Sequence, residues 1–193
     1  MIIISIDIEA DGPIPGMNSM LQLGAVAFAE TGQEVGAFQA NLAPLDGAVQ
    51  DPDTMKFWSR HKETWEMLQH DQRSPELTMA AFAAWLKSLD SSYLFYCAPV
   101  GFDFVFLRWY MVRFGHNFPH NALDLRSMMF LFTGEYNGEI KKKIRKTCDW
   151  KHNKKHTHVA VEDAREQGQY LFAAIKRFGP VAQEIFTFAG THK

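Results

Sequence analysis

The stretch Ile2-Ile3-Ile4-Ser5-Ile6-Asp7-Ile8-Glu9 reads as a buried first strand that ends in two carboxylates. Side chains alternate between the two faces of a strand, so the even-numbered isoleucines share one face, and Asp7 and Glu9 share the other. Two neighbouring carboxylates on a buried strand repel each other unless a cation neutralises them. Magnesium and manganese suit such oxygen ligands and bridge well to phosphate. The alternative is that Asp7 and Glu9 mark the point where the strand runs out into solvent.

The composition is that of an ordinary soluble globular protein, with 193 residues, 47% hydrophobic and 22% charged. This length predicts one domain that buries roughly 70% of its unfolded surface. Two cysteines, Cys97 and Cys148, are too few for a disulfide framework and favour the reducing cytoplasm. The chain opens directly on a strand pattern, and no uncharged apolar run reaches the roughly 18 residues of a membrane span. We therefore expect a cytoplasmic protein with no membrane partner.

Hydrophobic periodicity and capping signals predict strands first and mostly helices afterwards. The predicted strands are residues 2–9, 20–29, 34–42 and 93–97, the first three forming an antiparallel meander through the turn at Thr31-Gly32. The predicted helices are a short one opening at Asp51-Pro52-Asp53, followed by 63–69, 74–90, 101–114, 124–132, 161–178 and 181–188. This order predicts an α/β fold with a mixed sheet flanked by helices.

Three later residues are candidates to join the acidic pair. Asp103 lies in the first turn of a helix that follows a strand and a turn, and Asp163 lies in the first turn of the long closing helix. A carboxylate in a first helical turn is also favoured by the helix dipole alone, so a purely structural role is open for both. His158 precedes Asp163 by five residues, and by itself could be an exposed loop histidine.

The whole set resembles the DEDDh 3′→5′ exonucleases, a superfamily of ribonuclease H-like fold that includes proofreading domains, oligoribonuclease and ribonuclease T. The matching motifs are Asp7-Ile8-Glu9, Phe102-Asp103 and His158-Val159-Ala160-Val161-Glu162-Asp163-Ala164, in the order of the family and across nearly the whole chain. The resemblance implies one exonuclease domain over residues 1–193, with a ribonuclease H-like mixed five-stranded sheet flanked by helices.

Departures from the family pattern concern positions around the acids. Ala10 follows Glu9 where members usually carry Thr, and Pro99 stands where Asn often precedes the second motif. The segment 54–58 resembles a Thr-x-x-Trp-Trp element of phage-type members, with Phe57 in place of the first Trp. These differences affect the detailed substrate contacts rather than the acidic set.

The resemblance implies hydrolysis of phosphodiesters with two Mg²⁺ or Mn²⁺ ions, which in such sites lie roughly 3.5–4 Å apart. It assigns Asp7 as the bridging ligand, Glu9 and Asp163 to the first ion, and Asp103 to the second. His158 would accept the proton of the attacking water. The expected partners are 3′ ends of single-stranded RNA or DNA, with RNA slightly favoured, and the product is a nucleoside 5′-monophosphate. A homodimer is compatible with the resemblance, since relatives are commonly dimers.

Substrate contacts are predicted at four kinds of position. Phe57 and Trp58 are candidates to stack on terminal bases, worth roughly 1–3 kcal/mol per base, or to pack their short helix onto the sheet. The backbone of Ala10 is a candidate contact for the terminal 3′-hydroxyl, and Phe102, within the second motif, is a further candidate substrate contact. The candidates for phosphate contacts are basic residues near His158, namely Lys141, Lys142, Lys143, Arg145 and Lys146.

The basic stretch 141–158 holds eight Lys or Arg and one Asp, a local net charge of +7 in a chain of net charge −2. Such a segment favours a polyanionic partner, although a solvated loop is the alternative. Two other functions stay open. One is a zinc-binding module built from Cys148, His152, His156 and His158; the other is a catalytically inactive nucleic-acid-binding module or scaffold of ribonuclease H-like fold.

Overall fold

The computed structural model describes residues 1–133 and 158–178, in which helices cover a mixed sheet of five strands. The strands are β1 (Ile2–Ala10), β2 (Met20–Ala29), β3 (Glu34–Asn41), β4 (Tyr93–Cys97) and β5 (Leu123–Asp124). The described helices are α1 (Pro52–Trp58), α2 (Lys62–Leu68), α3 (Pro75–Ser88), α4 (Asp103–Arg113), α5 (Leu125–Thr133) and α6 (Ala160–Phe178). The sheet order is β3-β2-β1-β4-β5.

The first three strands form the predicted antiparallel meander, and β4 and β5 add to it in parallel. Strand β1 is therefore central, with β2 on one side and β4 on the other. In the β1–β2 register, Asp7 pairs with Gly24 and Glu9 pairs with Gln22. The register shifts between Glu9 and Ala10, at the end of the strand that carries both acids.

Alternation along β1 divides its side chains between two cores, as the sequence predicts. Ile4, Ile6 and Ile8 join a large cluster with residues of α3 and α4. Ile3 faces the other way and joins a cluster formed by residues of β4, α5 and α6. Asp7 has the same parity as Ile3, and its side chain meets α6. Helix α6 thus covers the face of the sheet on which the acidic pair lies.

Gly24 permits the close approach of α6 to the sheet at the level of the acidic pair. A Cβ atom added at Gly24 would overlap the backbone of Ala160 and Val161, at the start of α6. No side chain fits in that space, so a glycine is required opposite Asp7 for α6 to begin there. The helix that carries Asp163 is therefore pressed against the strand next to the acidic pair.

Two boundaries differ from the sequence prediction around the fourth and fifth strands. Helix α4 begins at Asp103 rather than at residue 101, and residues 123–124 form a short strand ahead of α5. Asp124 explains the second boundary, because its Oδ1 accepts from the Ser127 N–H at 2.7 Å and caps the helix. Its Oδ2 accepts from the Val100 N–H at 2.8 Å and fixes the turn that leads to Asp103. A two-residue strand carries no alternation from which it could be predicted.

Some predictions fall outside the described residues, namely the helix 181–188 and the basic stretch up to residue 157. Helix α6 ends at Phe178, at the predicted boundary. Among the helices that the structure describes, none combines the length and apolar character of a membrane span.

Candidate active site

The acidic pair lies at the end of β1, where three elements of the fold meet. Asp7 Oδ1 accepts a hydrogen bond of 2.7 Å from Gln167 Nε2 on α6. Asp103, the first residue of α4, is 3% exposed, and its Oδ1 accepts from the backbone N–H of Ile8 at 3.2 Å. Ile8 lies between Asp7 and Glu9, so the start of α4 is fixed against the strand between the two acids. The structure thereby brings Asp103 to the N-terminal pair.

Asp163 and His158 approach the same strand end from α6. Asp163 is 4% exposed and lies in the first turn of the helix, where its backbone N–H bonds the Val159 carbonyl at 3.0 Å. Glu9, His158 and Asp163 each offer one ligand atom, and these three atoms all lie within 4.8 Å of one another. Four carboxylates and one imidazole, distant in sequence, therefore converge at one end of the central strand.

Ionisation of Glu9 is opposed by its surroundings in the way that the repulsion argument predicts. Burial raises the pKa of Glu9 well above its usual value, and the nearby Asp163 and Asp103 carboxylates raise it further. Burial also raises the pKa of the Cys97 thiol, with a further contribution from Asp103. Ionising these acids together is therefore unfavourable unless a cation neutralises them. The donor set of clustered carboxylate oxygens fits a hard divalent cation such as Mg²⁺ or Mn²⁺.

His158 lies in a cluster of four rings, with Phe57, Trp58 and His61. Its ring centroid is 5.0 Å from Phe57, 6.4 Å from Trp58 and 4.6 Å from His61, each pair nearly edge to face. The backbone of His158 is left-handed, with φ of +54°, which is uncommon for a residue with a side chain and is typical of constrained functional positions. The rings hold His158 next to Glu9 and Asp163.

His61 was not predicted from the sequence, because nothing in a turn between two short helices indicates which ring it will meet. Its Nδ1 lies 3.0 Å from the Phe57 carbonyl, so that nitrogen must carry a proton to bond it. Its ring also lies against Phe57, with centroids 4.3 Å apart and planes 33° apart. His61 is therefore fixed from both sides and forms one wall of the position that His158 occupies.

The predicted substrate residues are placed in different ways. Trp58 is 2% exposed and its Nε1 donates to the Ala10 carbonyl at 3.0 Å, which favours the packing alternative for this side chain. Phe57 is half-buried against the histidines, and Phe102 packs against Phe106 with centroids 5.1 Å apart. The five basic candidates for phosphate contacts lie outside the described residues. The cysteine and two of the histidines of the zinc alternative also lie outside them, and its remaining histidine, His158, lies beside the carboxylates of the acidic set.

A chain of amide side chains that sequence reasoning also missed holds the start of α6. The Ala160 N–H donates to Gln22 Oε1 at 2.7 Å, and Gln22 Nε2 donates to Asn41 Oδ1 at 2.7 Å. Asn41 Nδ2 donates in turn to the carbonyls of Met67 and His70, each at 2.9 Å. The first turn of α6 is therefore linked to the end of α2, across the strand that neighbours Glu9.

Comparison with known proteins gives the family of the chain. A family model described as the 3′-5′ exoribonuclease Rv2179c-like domain matches residues 3–175. The 3′-5′ DNA exonuclease Cap18 of Escherichia coli is 35% identical over 135 residues, which cover 67% of this chain and 68% of that protein.

Solved structures extend the likeness to the fold. The nuclease domain of 3′hExo, described as a DEDDh family member bound to rAMP, superposes with a TM-score of 0.69 at 12% identity over 92% of both chains. S. pombe Pop2p in its Mg²⁺ and Mn²⁺ bound form superposes with a TM-score of 0.66 at 15% identity, over 90% of this chain and 82% of Pop2p. The predicted α/β fold of ribonuclease H-like type is thus confirmed. The chain belongs to the family of the Rv2179c-like 3′-5′ exoribonuclease domain and is a 3′→5′ exonuclease.

Proposed function

We propose that the protein removes nucleoside 5′-monophosphates from the 3′ end of single-stranded nucleic acid by a two-metal mechanism. The observation that carries the proposal is the convergence of Glu9, His158 and Asp163 within 4.8 Å, next to an Asp103 carboxylate bonded to the β1 backbone. Burial of this group of acids makes a cation the natural neutralising partner. The single domain over residues 1–193 is part of the same proposal.

The ligands in this proposal are the four acids, with Asp7 shared between two Mg²⁺ or Mn²⁺ ions. Glu9 and Asp163 would complete one ion's ligands, and Asp103 would reach the other. When bound, such ions lower the pKa of a coordinated water and stabilise charge on the phosphate and on the leaving oxygen. The chain's own contribution is to fix the carboxylates. The Ile8 N–H on β1 orients Asp103, and the Gln167 amide on α6 orients Asp7.

His158 is the proposed general base. A histidine suits this task because its ordinary pKa lies near neutral pH, and a base must reach the attacking water directly. Its nitrogen lies close enough to the oxygens of Glu9 and Asp163 for one water to contact all three groups. The surrounding rings, with Phe57 and His61 in contact, restrict the imidazole to that orientation.

RNA is the first substrate to test, because the family model describes exoribonucleases and matches most of the chain. DNA is the second, because Cap18 is named a DNA exonuclease. Phe57, which is half-buried whereas Trp58 is buried, is the better placed of the two stacking candidates, and the Ala10 backbone is the candidate contact for the 3′-hydroxyl. Phosphate contacts by Lys141, Lys142, Lys143, Arg145 and Lys146, a homodimer and a cytoplasmic location remain predictions.

The test uses 5′-labelled RNA and DNA oligonucleotides of identical sequence, incubated with Mg²⁺, with Mn²⁺ and with a chelator. We expect a ladder that shortens from the 3′ end, mononucleotide products and no digestion in the chelator. Digestion that continues in the chelator, or fragments that begin from internal cuts, would contradict the proposal. The ratio of the RNA and DNA rates decides the substrate class.

The role of His158 is tested with His158→Ala, with the exposed His70→Ala as the control variant. Loss of a general base should lower turnover by about 10²- to 10⁴-fold and leave divalent-ion affinity unchanged. If affinity falls together with turnover, His158 acts as a metal ligand and the assignment as base is wrong.

A further inference from the structure

Gln167 contacts the acidic set directly and is not part of the exonuclease motifs. It lies four residues after Asp163, on the same face of α6, and is 5% exposed. Its Nε2 donates to Asp7 Oδ1 at 2.7 Å, which joins the closing helix to the first strand across 160 positions of sequence. One helical turn therefore presents both a carboxylate and an amide to the end of β1.

The chemistry of the amide fixes its orientation towards Asp7. Only the NH₂ end of a glutamine can face a carboxylate oxygen, because its carbonyl end would repel that oxygen. A neutral donor also adds no charge, so it leaves the full negative charge of the carboxylate available to cations. Each carboxylate oxygen can accept at two positions, so Asp7 Oδ1 can accept from Gln167 and still contact an ion.

The other end of the same amide points to a water ligand. Gln167 Oε1 is buried, and within residues 1–133 and 158–178 it has no hydrogen-bond partner. A buried amide oxygen without a donor is unfavourable, so a donor is expected there. Because Oε1 and Nε2 share one carbon, that donor would lie at the edge of the Asp7 carboxylate. A water bound to a divalent ion has a proton to donate in that position.

We propose that Gln167 is a positioning residue of the metal centre, holding Asp7 through Nε2 and a metal-bound water through Oε1, and thereby setting the affinity for the divalent ion. This rests on the proposed function, in which Asp7 is the shared ligand. Partners that orient metal ligands in this way typically change metal affinity or activity by about 10- to 100-fold when they are removed.

The experiment is a titration of the full-length, metal-free protein with Mn²⁺ alone, followed calorimetrically. Gln167→Met keeps the length of the side chain and removes both polar ends, so it tests the hydrogen bonds without opening a cavity. Gln169→Met, at an exposed position two residues along the same helix, is the matched control. We expect a 10- to 100-fold weaker affinity for Gln167→Met, wild-type affinity for Gln169→Met, and recovery of most turnover at saturating Mn²⁺.

Two further variants keep the outcome decisive. Gln167→Ala replaces Gln167→Met if thermal melts in chelator show that the methionine variant does not fold. Asp7→Asn separates this inference from the proposed function: if it binds Mn²⁺ like wild type, the metal assignment itself fails. If Asp7→Asn loses Mn²⁺ whereas the Gln167 variants keep wild-type affinity, the positioning role of Gln167 alone is overturned. In the Asp7→Asn background, a Gln167 substitution should cause no further loss of affinity.

Discussion

The two halves of the candidate site are held together by different physics. In the acidic half, each carboxylate of Asp7 and Asp103 accepts from a donor on another element, so backbone and amide groups fix its orientation. In the ring half, His158 is fixed mainly by the faces and edges of Phe57, Trp58 and His61. The acidic half holds like charges that repel one another without a cation, whereas the ring half combines ring packing with hydrogen bonds from His61 and Trp58 to backbone carbonyls. The acidic half should therefore dominate both activity and metal-dependent stability.

The largest effect is expected from Asp163→Asn, which should abolish turnover and yet stabilise the metal-free protein. Asp163 is a proposed metal ligand, but in the absence of metal its charge raises the pKa of Glu9 and so opposes ionisation of that group. Removing the charge relieves the repulsion. Turnover on the 5′-labelled oligonucleotide and thermal melts in chelator check both parts. Asp53→Asn, at an exposed position on α1, is the control and should change neither. A lower melting temperature for Asp163→Asn would contradict the account of the acidic half as electrostatically strained.

The next largest effect should come from Gly24→Ala, which changes no chemical group. The added Cβ would meet the backbone at Ala160, so α6 must move outward and carry Asp163 and His158 away from β1. A displacement of about 1 Å at a catalytic group can lower the rate by about 10²-fold. Gly36→Ala, on β3, adds a Cβ with ordinary contacts of 3.7 Å and serves as the control. Wild-type kcat in folded Gly24→Ala would show that the site tolerates movement of α6.

A smaller effect is expected in the ring half, from His61→Ala. In the part of the chain that the structure describes, the His61 ring packs against Phe57 and His158, so its loss should act through His158. We expect about a 10-fold lower kcat, which corresponds to about 1.4 kcal/mol of coupling between neighbouring side chains. The double variant His61→Ala/His158→Ala should be no slower than His158→Ala alone. If the two losses are additive, His61 acts on something other than the orientation of His158.

The difference between the halves also explains what could be predicted from sequence. Strand alternation put Asp7 and Glu9 on one face, and helix-start signals and apolar periodicity located α6, so the N-terminal acidic pair and the closing helix followed from local rules. The positions of Asp103 and Asp163 relative to that strand came from the resemblance, because no local pattern reports a contact across 95 residues such as Ile8 to Asp103. The contacts of His61, Gln22 and Gln167 depend on how α2, β2 and α6 pack together, which no local pattern predicts. A neutral amide side chain in a helix or strand does not indicate which residue it will contact. The strand at 123–124 was missed because two residues show no period.

The smallest effect, a pH dependence of stability, separates the two halves most directly. The pKa of Glu9 is raised in the folded state by burial and by Asp163 and Asp103, so the folded protein holds that proton more tightly than the unfolded chain does. Its stability without metal should therefore fall as the pH rises above the ordinary value of 4.5, towards the raised value.

Glu9→Gln, which cannot ionise, should weaken this slope and melt at a higher temperature near pH 8, each kcal/mol corresponding to about 2–4 °C. Some slope should remain, because burial also raises the pKa of Asp11. Melts in chelator from pH 5 to 8 measure it, and Phe57→Leu, a non-titrating change in the ring half, should keep the wild-type slope. Equal slopes for wild type and Glu9→Gln would mean that the charge strain does not reside at the end of β1.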